Sequence, residues 1–162
     1  MALNRRTLLA AAAPLALGAC GFELRKAPDF VFKTIQVGSA ENSTLGNELK
    51  RSIGSGGVTV VPLDRAEVVL DVLTDQREKV VVGLNASGQV REFQLRIRFK
   101  FKLRTPAGKE LIPETELLQQ RDISFNESAV LSKEAEENLL YRDMQTDIVQ
   151  QLMRRLAAVK AI

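Results

Sequence analysis

The residues of this chain best suited to chemistry are cations in a row. Arg96, Arg98, Lys100, Lys102 and Arg104 recur at every second position, so on an extended strand their charges stand about 6.6 Å apart over roughly 26 Å. A row of that reach can engage phosphates and acidic sugars, each guanidinium offering paired hydrogen bonds to one phosphate. The plainer reading is that a wet sheet face must be polar and that Lys and Arg discourage edge pairing. Partner-facing or solvated structure is favoured over direct ligand contact. Nucleic acid is disfavoured, because no exposed aromatics interleave with the charges.

Catalytic chemistry finds little to work with. The chain has no histidine, which removes the side chain best placed to move protons near neutral pH and the commonest nitrogen ligand for zinc. Ser132 and Lys133 are adjacent, but neighbours in a helical turn point in different directions and make no nucleophile–base pair. Cysteine occurs once, at Cys20, so neither an intrachain disulfide nor a multi-thiolate metal site can form. The expectation is a protein that binds rather than catalyses, with no metal and no cofactor.

The lone thiol gains meaning from its surroundings. Arg5-Arg6 form a basic head, Leu8 to Leu17 an apolar run broken by Pro14, and Gly18-Ala19 a small-residue exit. That order is a secretory signal, and its apolar run is about half of the ~20 residues a membrane-spanning helix needs. Leu17-Gly18-Ala19-Cys20 resembles the bacterial lipobox, in which the cysteine is lipidated and becomes the first residue of the mature chain. With about 0.8 kcal/mol for each buried CH₂, two or three acyl chains anchor a protein durably. Gly21 is not the Asp that signals inner-membrane retention in many Gram-negative lipoproteins, so an outer-membrane, periplasm-facing location is expected. Arg5-Arg6 match a twin-arginine signal only loosely, and the export route stays open. In such an envelope protein, Asn42, Asn85 and Asn126, each two residues before Ser or Thr, are turn residues rather than glycan acceptors.

These features divide the chain into a removed leader over residues 1–19, a lipidated tether over 20–29 and one domain over 30–162. The 162 residues, 45% of them apolar, suffice for one packed core. Lys and Arg total 23 against 20 Asp and Glu; without Arg5 and Arg6 the totals are 21 and 20, so net charge selects no partner.

The elements that must position the cations follow from periodicity. Phe30 to Val37 reads as a first strand. Asn42-Ser43-Thr44 offers cap oxygens for a short helix with Leu45, Leu49 and Ile53 on one face, stopped by the glycines of Gly54 to Gly57. A second extended region covers Val58 to Val61 and then Glu67 to Leu84, broken at Pro62 and around Thr74 to Glu78. Asn85 to Gln89 is a hairpin loop. Phe93, Leu95, Ile97, Phe99, Phe101 and Leu103 then alternate with polar residues, the mark of a strand with one buried face. Thr105 to Lys109 turns the chain into a strand over Leu111 to Phe125. From near Ser132 a long helix carries Leu140, Met144, Ile148, Leu152, Leu156 and Val159 as an apolar stripe. The order β-α-β-β-β-α predicts an α+β fold, a four-stranded antiparallel or mixed sheet with two helices on one face.

Several segments together resemble one family. Cys20-Gly21-Phe22-Glu23-Leu24-Arg25 is similar to the mature start of the LptE lipoproteins, and Gly88-Gln89 followed by Glu92-Phe93-Gln94-Leu95 is similar to their hairpin. Leu131 to Met144 and Gln151 to Leu156 resemble their last helix. The resemblance implies a lipopolysaccharide-assembly factor that plugs the lumen of the β-barrel LptD. It also implies lipopolysaccharide contact through basic residues in the second hairpin and just before the last helix. Lys133 matches the latter position. At the former, relatives carry a basic residue where this chain has Ala86-Ser87, and Arg91 is the substitute. Arg96, Arg98 and Lys100 are further candidate lipopolysaccharide contacts. The alternative expectation is an envelope lipoprotein that only scaffolds other proteins.

Overall fold

The computed structural model describes residues 29–162. The leader, Cys20 and nearly all of the expected tether lie outside the described residues.

The chain runs β1 (Thr34–Gly38), α1 (Thr44–Ser55), β2 (Thr59–Val60), β3 (Val68–Leu84), β4 (Val90–Arg104), β5 (Glu110–Ser124) and α2 (Val130–Ala157). One five-stranded mixed sheet has the order β2-β1-β3-β4-β5. β1 is parallel to both β2 and β3, whereas β3, β4 and β5 are antiparallel neighbours. Two expectations are corrected here. The sheet has five strands rather than four, because Thr59 and Val60 pair with Thr34 and Ile35 as a separate edge strand before Pro62 turns the chain. The break expected at Thr74–Glu78 is absent: β3 runs unbroken to Leu84, with a bulge at Leu73 absorbing the change of register. Polar residues remain in the strand because β4 supplies every rung of the ladder, whatever the side chains.

Local chemistry sets the boundaries. The Ser43 hydroxyl accepts from the Gly46 amide at 2.7 Å, capping α1. Gly57, at φ +85°, takes the left-handed conformation that follows the helix end. In the hairpin between β3 and β4, Asn85 Oδ1 accepts from the Ser87 and Gln89 amides at 3.0 and 2.9 Å. Gly88, at φ +82°, closes that loop where a side chain would be strained. The first strand pairs only from Thr34, but Phe32, upstream of it, is buried against the core.

The core lies between one sheet face and both helices. Leu95, Ile97, Phe99, Phe101 and Leu103 of β4 point inward with Ile35, Val68 and Leu70. Leu45, Leu49 and Ile53 of α1 meet them, as do Met144, Ile148, Leu152 and Leu156 of α2. Each fully buried aliphatic or aromatic side chain contributes about 1.5–3 kcal/mol. In α2 no residue before Tyr141 is buried. The first turns of this helix therefore overhang the core and lie over the hairpin end of the sheet.

Candidate functional site

One of the expected basic residues stands at that overhang, and a second is tied to it through the backbone. Lys133, in the first turns of α2, donates to Ser124 Oγ at the end of β5 at 3.0 Å and to Glu136 Oε2 at 2.9 Å. Arg91 is the second residue of β4, and its carbonyl accepts from the Phe125 amide at 2.8 Å. Its side chain is exposed and has no ion-pair partner among the described residues. The hairpin and the helix start, far apart in sequence, thus converge through the β4–β5 ladder, in which Glu92 faces Ser124.

The sequence reading missed a third cation in the same place. Lys79 of β3 lies 2.6 Å from Glu137 Oε2 and 4.4 Å from the centroid of the Phe93 ring. Phe93 in turn meets Phe125 edge to face at 5.4 Å. Lys79 belongs to no visible motif; only its inward parity on β3 could have flagged it. These groups border a cleft with about 70 Å³ of free space, room for two or three waters and far too little for an acyl chain. Val130 borders it and Leu131 beside it is 82% exposed; Val81 and Leu84 at the end of β3 are exposed as well, while Glu134 and Glu137 add negative charge to the cleft. Lys79 and Lys133, each paired with a carboxylate of α2, thus stand beside exposed apolar side chains, with the exposed Arg91 close by in the chain of β4, a combination suited to an amphiphile with an anionic head.

The strand row sits elsewhere and in different company. Arg98 lies 2.7 Å from Glu116 and 3.9 Å from Glu78, and Lys100 lies 3.2 Å from Glu114. Arg104 lies 2.7 Å from Asp71, which holds the guanidinium even more firmly protonated than usual by hydrogen bonding to it. Arg96 donates to Gln94 Oε1 at 2.7 Å. The cations of β4 are therefore interleaved with carboxylates of β3 and β5, and the face is two-signed rather than basic. Exposed pairs of this kind each contribute about 0–1 kcal/mol. Spacing along one strand cannot reveal this, since it omits the neighbouring strands.

A polar network closes the other side of α2. Gln145, buried at 7% exposure, accepts from the hydroxyl of Thr44 and the guanidinium of Arg77 and donates to Glu48. Tyr141 donates to the Glu78 carbonyl at 2.8 Å with the Arg77 guanidinium 5.4 Å from its ring. Burial, and then the charge of Glu137, push the Tyr141 phenol above its ordinary range. Among the described residues no three His, Cys, Asp or Glu side chains are grouped to hold a metal, and no helix is long and apolar enough to cross a membrane.

Comparison with known proteins agrees with this architecture. The family model LptE, lipopolysaccharide-assembly, matches residues 32–156. The LPS-assembly lipoprotein LptE of Yersinia enterocolitica is 26% identical over 159 residues, covering 95% of this chain and 76% of that protein. The solution structure of uncharacterized lipoprotein B from Nitrosomonas europaea aligns with a TM-score of 0.74 at 33% identity, covering 85% of this chain and 91% of its own. Rare lipoprotein B from Shewanella oneidensis aligns at 0.66 with 23% identity, covering 77% and 94%, a likeness of fold. With its mixed sheet, paired helices and a family match over most of its length, this chain belongs to the LptE family.

Proposed function

We propose that this chain is an outer-membrane lipoprotein, acylated at Cys20, that binds lipopolysaccharide and occupies an LptD-like β-barrel during lipopolysaccharide assembly. The observation that carries the reading is the cleft that Lys79 and Lys133 border with Phe93, Phe125 and the exposed Val130, with Arg91 bonded through its carbonyl to Phe125 and the exposed Leu131 following Val130 on the same helix turn. Cations alone would attract any anion, and an apolar rim alone any partner; together they select a molecule that is anionic at one end and hydrocarbon at the other. Because the cleft is small, recognition occurs at the surface. A lipid handled in this way can be passed on without being extracted from a deep pocket.

The test uses the full chain purified from detergent-solubilised outer membrane. Lipopolysaccharide should copurify with it, and Arg91→Asp with Lys133→Asp should abolish most of that retention. Retention unaffected by the double reversal would remove this end of the sheet as the lipid site. Copurification should also bring a stoichiometric large barrel, and mass spectrometry of the native chain should find acyl chains on Cys20.

A second reading, a scaffold without a lipid ligand, draws on the strand row. Arg98 and Lys100 are already engaged by Glu116 and Glu114, an arrangement suited to a protein surface of alternating sign. We assign that face to the barrel wall and the hairpin end to lipid.

A further inference from the structure

A second cationic surface lies between the helices, away from the hairpin end. Arg51 of α1, Arg77 of β3 and Arg142 of α2 line one open groove of about 700 Å³. Among the described residues none of the three forms an ion pair, which sets them apart from the cations of β4. The one carboxylate in the groove, Glu48, is already occupied: Gln145 donates to one of its oxygens and Thr146 to the other. Three guanidinium charges thus face one carboxylate, leaving the groove an excess of positive charge.

The rest of the lining is amide and hydroxyl. Asn47, Asn138, Thr44, Thr146 and Gln145 complete the groove, with no aliphatic or aromatic residue among its walls. Asn47 and Arg51 are one turn apart on α1, and Asn138, Arg142 and Thr146 succeed one another at four-residue spacing on α2, so each set shares a helix face. Arg77 is fixed in advance. One of its terminal nitrogens donates to Thr44 and Gln145 and its plane lies by Tyr141, so little side-chain entropy remains to be lost on binding. A peptide groove normally offers apolar pockets for side chains. A wall of guanidinium, amide and hydroxyl groups instead matches a ligand bearing phosphates or carboxylates among many hydroxyls, in other words an anionic saccharide.

We propose that the groove between α1 and α2 is a binding site for a phosphorylated or carboxylated saccharide. This deepens the lipopolysaccharide reading and rests on it for the source of the ligand. Arg77 and Lys79 are two residues apart on the same face of β3, about 6.6 Å along the strand. One amphiphile can therefore lay its chains on the hairpin end and run its acidic sugars past Lys79 to Arg77 and the groove.

The full chain in detergent micelles is titrated by calorimetry with a fully deacylated, phosphorylated glucosamine disaccharide. Parallel arms use the same disaccharide after phosphatase treatment, inorganic phosphate and a ten-residue glutamate peptide. The phosphorylated disaccharide should bind, phosphatase treatment should abolish binding, and Arg51→Gln with Arg142→Gln should weaken it about tenfold or more. Both arginines are exposed without described partners, so this variant should retain its melting temperature, and Arg91→Asp with Lys133→Asp should leave disaccharide binding intact. No binding of the disaccharide, binding insensitive to the double Gln variant, equal binding of free phosphate, or binding of the peptide in its place would each overturn the proposal. Disaccharide bound in the groove while intact lipopolysaccharide ignores the Asp reversals would sink the hairpin-end reading alone.

Discussion

Lys133 of α2 and Ser124 of β5 are joined at 3.0 Å, a bond that pins the overhanging first turns of the last helix to the end of the sheet. The lysine is held in place before any ligand arrives. Its partner Glu136 is half exposed, so the ion pair between them is worth about 1 kcal/mol or less. Lys133→Ala should then change the unfolding free energy by no more than about 1 kcal/mol while cutting lipopolysaccharide retention several-fold. Chemical denaturation beside a retention assay reads both, and a large loss of stability with retention intact would make Lys133 merely structural.

Arg98 and Lys100 should behave in the opposite way. Each of them lies near two carboxylates of β3 and β5, where Lys133 pairs with one, so they have less charge to offer a lipid. Arg98→Gln with Lys100→Gln should leave lipopolysaccharide retention within about twofold and lower stability by about 0.2–1 kcal/mol for each pair. Recovery of the barrel should fall, since Glu114 and Glu116 would be left unopposed on the docking face. Loss of lipid with barrel recovery unchanged would return the row to the lipid site.

Gln145 is the buried hub of three other polar groups. Gln145→Leu should destabilise by about 1 kcal/mol, because the three hydrogen bonds of the buried amide are lost while the exposed Arg77 and Thr44 turn to water. A urea titration should show a lower midpoint at unchanged slope. Stability equal to the parent would mean that water replaces the amide without penalty.

Tyr141 supplies a pH signature. Its phenol ionises less readily in the folded chain than in the unfolded one, owing first to burial and then to Glu137. A group whose folded pKa is raised contributes stability that is fully present below its unfolded value, near 10, and lost as pH climbs through the folded value. Unfolding free energy should therefore decline above about pH 10, and Tyr141→Phe should flatten that decline. An identical alkaline slope in the Phe variant would assign the decline to other groups.

Helix packing divides α2 into halves of unequal consequence. Leu152 is fully buried and Leu131 is 82% exposed. Leu152→Ala should cost about 2–5 kcal/mol, and Leu131→Ala should stay within about 0.5 kcal/mol. If Leu131 proved the costlier loss, the overhang would be part of the core.

What was legible in the sequence was whatever a single strand or helix determines by itself. Phe93 to Leu103 alternate because every second side chain must leave water, and the structure buries Leu95 to Leu103 as that pattern requires. Leu45, Leu49 and Ile53, and the stripe from Met144 to Leu156, are equally local signals of a helix face. Lys133 and Arg91 could be named from the resemblance. That Lys79 shares a cleft with Lys133 could not, since it depends on the register by which β3 and β5 flank β4. β2 escaped separate notice because two residues carry no period, and β3 seemed interrupted because Thr74 to Glu78 are polar on both faces, although their β4 partners include the buried Ile97 and Phe99. The carboxylates facing Arg98 and Lys100 sit 14 to 20 positions away in sequence, on the strands either side.

The alternation of sign across β3, β4 and β5 has a mechanical meaning for assembly. At distances beyond a Debye length, about 8 Å at physiological salt, such a face is electrically quiet, so it neither draws a partner in nor repels one. In contact it acts as a key. A complementary wall finds one alignment in which every cation meets an anion, and sliding by a single rung sets like against like. Under the barrel-occupying reading proposed above, the sheet would fix the rotational seating of the subunit while contributing almost nothing to how quickly it arrives.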